Sequence, residues 1–119
     1  MTDVLDAISQ ATVPDGAEPF TFRLPDGTEQ TVQVRGITWT EIADCAAKAA
    51  TYTVVEGKTQ MGFNSATYRV EVLKLRILTK PWNSDAVLRK LRPEVGAQID
   101  VLVPSPFGAA AEAEAVPQA

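Results

Sequence analysis

A chain of 119 residues with 45% apolar and 22% charged side chains has the size and composition of one globular domain. Its formal charge of −4 argues against a general nucleic-acid binder, which carries a net basic field. The single cysteine, Cys45, excludes an internal disulfide framework and fits a reducing compartment, and charged residues interrupt every apolar run before it reaches membrane-spanning length.

Residues 1–18 read as a flexible N-terminal arm. Met1 to Ser9 carries Asp3 and Asp6 and no basic residue, so it is not a signal peptide. A turn of helix fits residues 3–9, and Val13-Pro14-Asp15-Gly16 ends any regular structure. Beyond it, Phe20, Phe22 and Leu24 alternate with polar residues, as do Val32 and Val34. That period of two predicts two half-buried strands, joined at Pro25-Asp26-Gly27, where Pro presets φ and Gly accepts a positive one.

Thr38 and Glu41 have capping-box spacing, and Ile37 with Ile42 can form a hydrophobic staple across the helix start. The alanine-rich body that follows favours helix, with Ile42, Cys45, Ala46 and Ala49 on one face. Residues 53–63 fit either a second small hairpin, turning at Glu56-Gly57-Lys58, or a loop between helices.

Residues 65–91 hold the densest run of large apolar side chains. At helical spacing they form two stripes: Tyr68, Val72 and Leu75 on one side, and Ala66, Val70, Leu73 and Ile77 on the other. As a strand, residues 66–78 would need a bulge to absorb a phase slip, so helix is the preferred reading. Pro81 stops it, Asn83 or Ser84 caps a short helix through Leu91, and Pro93 can open a fourth that Gly96 weakens. The expected architecture is α+β: an N-terminal β-hairpin packed on a small bundle of three to four helices. It spans residues 19–107, and residues 108–119 read as a low-complexity, disordered tail.

Seven of the eleven basic residues fall between Arg69 and Arg92, offset only by Glu71 and Asp85. They read as the solvated faces of two helices, or as a docking surface for an acidic partner, such as the acidic N-terminal half of a neighbouring copy. No catalytic constellation stands out. There is no histidine, Cys45 sits among alanines, Glu41 and Asp44 read as an exposed helix face, and Gly57 and Gly62 lack phosphate-loop spacing. No enzyme activity, metal or cofactor is expected. Trp39 and Trp82 fit either of two uses, plugging a core edge or anchoring a partner.

The order of these features resembles the tail assembly chaperones of long-tailed bacteriophages. The resemblance rests on a strand followed by Ile37-Thr38-Trp39-Thr40-Glu41, then Tyr68, Leu73 and Ile77 in a helix that ends at Pro81-Trp82-Asn83, and it covers residues 20–108. It implies a non-enzymatic protein of the infected host's cytoplasm. Such a protein binds the long, largely helical tape measure protein, keeps it soluble, and helps recruit tail tube protein around it. It also implies self-association, with no membrane and no nucleic-acid partner. The residues expected to meet a partner are Trp39, Tyr68, Val72, Leu75, Arg76, Trp82 and Leu88. A small virion component, such as a head–tail connector or tail-completion protein, is the alternative, and a regulatory nucleic-acid binder using the basic cluster is a third reading.

Overall fold

The apolar alternation of residues 17–35 becomes an antiparallel hairpin, β1 (Ala17–Arg23) and β2 (Glu29–Arg35), in a computed structural model that describes residues 3–106. Phe20 pairs with Val32, and even-numbered residues of both strands share one face, which buries Phe22, Val32 and Val34. At the turn Gly27 has φ 89°, and the Asp26 carboxylate accepts hydrogen bonds from the Thr28 amide (2.9 Å) and hydroxyl (2.6 Å). Those bonds hold the Asp26 carboxyl below its ordinary range.

Both outer edges of this hairpin are met by other parts of the chain. The Gln98 side-chain amide bonds the Arg23 backbone on both sides, accepting from its N–H at 2.7 Å and donating to its carbonyl at 2.8 Å. Along β2, Val34 forms a bridge with Ile77, and the Leu78 amide donates to the Gln33 carbonyl at 2.8 Å. The unpaired groups that make an open edge adhesive are thus partly consumed.

The Thr38–Glu41 capping box forms as its spacing predicts and opens α2 (Trp39–Ala49). Arg35, at the end of β2, closes a bidentate pair on the same Glu41 carboxylate, with contacts of 3.0 and 2.6 Å. Glu41 therefore ties the hairpin to the helix start. The Arg35 guanidinium, with the Thr38 amide, lowers its pKa from 4.5 to about 2. A depressed carboxylate stabilises the fold fully above its unfolded pKa, and that contribution fades as pH falls from about 4.5 toward 2. Glu41→Ala should cost about 1–2 kcal/mol at neutral pH, the scale of a lost cap plus a half-buried ion pair. Urea unfolding at several pH values should show the difference from the unaltered chain shrinking through that acidic window.

The chain passes directly from α2 into a second hairpin, β3 (Ala50–Val55) and β4 (Lys58–Phe63), which resolves the two readings of residues 53–63 in favour of strands. Its two-residue turn has Glu56 at φ 53° and Gly57 at φ 76°, the left-handed pair that matches strand twist. Glu is a poor occupant of that conformation and Asn a good one. Glu56→Asn should stabilise this hairpin by ~0.5–1 kcal/mol. The expected readout is amide hydrogen exchange a few-fold slower across β3 and β4 and unchanged elsewhere.

Asn64 caps α3 (Ser65–Arg76), its side-chain oxygen accepting from the Thr67 amide at 3.1 Å. The preferred helical reading of this segment holds, and its two stripes divide the core. Val70, Leu73 and Ile77 join Phe22, Val32, Val34, Leu88, Val95, Ile99 and Leu102, while Tyr68 and Val72 join Cys45 and Ala49. A chain reversal through Pro81 leads to α4 (Asp85–Leu88), shorter than the helix expected through Leu91, then α5 (Pro93–Ile99) and a 3₁₀ turn (Asp100–Leu102). Gly96 does not interrupt α5.

Two differences concern the N-terminus. Val4–Ala11 forms a helix, α1, and β1 starts at Ala17, so the segment expected as an arm contains regular structure. Counting α1, the α-helices among the described residues number five. The low-complexity tail lies outside the described residues.

Candidate interaction surface

The residues expected to meet a partner are placed mostly against the chain's own core. Tyr68 and Val72 are buried, and the Tyr68 hydroxyl donates to the Pro104 carbonyl at 2.8 Å. Leu75 packs on the same cluster, and Leu88 is buried in the other. Arg76 is half-buried and donates to the carbonyls of Arg35 (2.9 Å) and Leu102, with burial pulling its pKa below the usual arginine value. Trp82 plugs a core edge, its ring edge-on to Phe22 at 5.0 Å. A helix with two apolar stripes uses both inside this chain because α2 covers one and the first hairpin with α5 covers the other.

Trp39 is the exception. It lies in the first turn of α2 and is 88% exposed. A single exposed aromatic is ordinary on a protein surface and by itself marks no contact.

An extended uncovered surface lies on the second hairpin. Opposite residues share a face, so Ala50, Tyr52 and Val54 of β3 stand beside Phe63, Met61 and Thr59 of β4. Tyr52, Val54 and Met61 are 67, 70 and 75% exposed. Phe63 is the anchored end of the row, its ring 5.7 Å from that of Tyr68. The other face carries Thr51, Thr53, Val55, Lys58, Gln60 and Gly62 and is also exposed. The base of the hairpin is fixed by a bond from the Asn64 amide to the Ala49 carbonyl at 2.8 Å. A lone two-stranded hairpin is marginal in water, and its apolar row gains most from a third layer.

That row was legible as a pattern. Tyr52 and Val54 alternate with Thr51 and Thr53, and Met61 and Phe63 with Gln60 and Gly62. What pointed elsewhere was the higher apolar density of residues 65–91, and density marks a core better than it marks a contact face.

The basic cluster is partly internal. Arg69 pairs with Asp100 at 3.1 Å, Lys74 with Asp85 at 2.9 Å and Glu71 at 3.6 Å, and Arg89 with Asp85 at 3.4 Å. Cys45 is buried, and burial raises its thiol pKa, so little of it is thiolate near neutrality. Among the described residues no cluster of three or more His, Cys, Asp or Glu is placed to hold a metal ion. No helix among them is long and apolar enough to cross a membrane.

A scan against protein-family models finds no match, and searches of the curated proteins and of the solved structures find none either.

Proposed function

We propose that this chain is a tail assembly chaperone of a long-tailed bacteriophage, acting in the host cytoplasm. It binds the tape measure protein, keeps that long helical client soluble, and assists the assembly of tail tube protein around it. In this reading the first hairpin and the small helical bundle are the scaffold, and β3–β4 is the working surface.

One observation carries the reading. A projecting hairpin offers Tyr52, Val54 and Met61 as an exposed row that ends at Phe63 where it packs on Tyr68. Met and Tyr are suited to such a role: Met adapts its shape to irregular partners, and Tyr supplies apolar area at low entropic cost. From Val54 to the Ala50–Phe63 pair the row is four residue steps, about 13 Å at ~3.3 Å each, and matches the apolar stripe along roughly two to three turns of a client helix. The resemblance at Ile37–Glu41 and Ile77–Trp82 supplies the identity of the client.

The test is co-expression of the full chain with a tape measure protein. The soluble fraction of the client should rise several-fold, and the chain should be absent from purified virions by mass spectrometry. No gain in solubility overturns the reading, and recovery of the chain in virions favours the connector or tail-completion alternative.

A further inference from the structure

We propose that the N-terminal helix α1 of one copy docks into the groove between α3, α4 and α5 of a second copy, in a reciprocal exchange that closes a two-fold dimer. The contact uses neither face of the β3–β4 hairpin, so it stands or falls separately from the client reading.

The helix brings an uncovered stripe. Val4, Leu5 and Ile8 are 70, 73 and 52% exposed, and α1 has no buried residue. Ala7 and Ala11 widen the same side, while Asp3, Asp6, Ser9 and Gln10 occupy the other. Eight residues are too few for a stable helix in water unless the apolar side is covered. Its charges are both acidic: Asp3 stands at its cap, Asp6 lies in its first turn, and the first basic residue of the chain is Arg23.

The groove brings the complement. Its floor is made by Val70 and Leu73 of α3 with Leu88 and Leu91, and Ala66 widens its mouth. Its volume, about 480 Å³, is that of a site for a compact group of side chains. Arg69, Arg89 and Arg92 line it beside Asp100. Asp100 answers Arg69 and Asp85 answers Arg89, which leaves the rim net positive. An amphipathic acidic helix and an apolar groove with a basic rim are the two halves of helix-in-groove recognition.

The occupant is a second copy for a positional reason. The Val13 side chain lies against Gly36, and the Arg35 carbonyl next to it accepts from Arg76 at the C-terminal end of α3, so the end of α1's linker sits beside that end of α3. The groove follows the N-terminal part of α3, from Ala66 to Leu73. In its own chain α1 has no buried residue and leaves the groove open. One eight-residue helix covers little area, and exchanging two doubles it toward the ~1,200–2,000 Å² of stable interfaces.

Sedimentation velocity on the full chain over a dilution series tests the exchange. The unaltered chain should form a dimer that weakens with added salt. Asp3→Lys with Asp6→Lys should weaken self-association at least tenfold, and so should Arg89→Glu with Arg92→Glu. All four positions are exposed, so the thermal transition should stay close to that of the unaltered chain. Mixing the two variants should restore a heterodimer, because each acidic groove then meets a basic helix and each basic groove an acidic one. A chain monomeric at every concentration overturns the proposal. So does a dimer indifferent to both charge reversals, or a mixture that fails to restore association.

Discussion

Val72→Asp should leave no cooperatively folded protein at room temperature. Val72 is 0% exposed and lies on α3 in an apolar cluster with Cys45, Ala49 and Tyr68. A carboxylate there must be buried without a partner or take up a proton. Either way the penalty is several kcal/mol, against a total stability on the order of 5–15 kcal/mol for a domain. The same substitution separates two roles for α3. If the Tyr68–Val72–Leu75 stripe were an open partner face, Val72→Asp would fold normally and lose only binding. Circular dichroism melts and the spread of amide resonances distinguish the two, and the expected result is loss of the thermal transition and of resonance dispersion.

Much of the scaffold was legible because its signals are local. The first hairpin follows from strict alternation on both sides of Pro25-Asp26-Gly27, and the start of α2 from the Thr38–Glu41 spacing, both of which the structure reproduces. The two stripes of α3 were legible too, since residues 68–77 repeat at helical spacing. Their use was not, because a stripe in sequence does not say whether a partner or the chain's own α2 covers it. The second hairpin was ambiguous for a different reason. Its turn places Glu56 at positive φ, and Glu gives no advance notice of that conformation.

The N-terminal helix was hard to see because the usual markers are weak. Asp3 stands at the cap position but makes no side-chain cap bond, and the helix ends after eight residues. Its amphipathic pattern covers barely two turns. The groove it is proposed to fill is assembled from α3, α4 and α5, and no short stretch of sequence contains that surface. Only the charge asymmetry, acidic before Arg23 and basic from Arg69 to Arg92, hinted that the two might meet.

The row on β3–β4 is the centre of the functional reading, and it can be removed without disturbing the scaffold. Tyr52 and Met61 are directly opposite each other across the strands. Replacing both by threonine keeps β propensity and recreates the cross-strand pair that Thr21 and Thr31 form in the first hairpin, hydroxyl to hydroxyl at 2.8 Å. Neither side chain is buried, so the melting transition should not move by more than a degree or two. Neither lines the α1 groove, so self-association should persist. If the pair forms the centre of the contact, its loss should cost at least ~2 kcal/mol of binding, roughly a thirtyfold weaker affinity.

The most direct measurement is therefore the soluble fraction of a tape measure protein co-expressed with the Tyr52→Thr, Met61→Thr chain. It should fall to the level of the client expressed alone, while the variant itself stays folded and soluble. A variant that protects the client as well as the unaltered chain would contradict it.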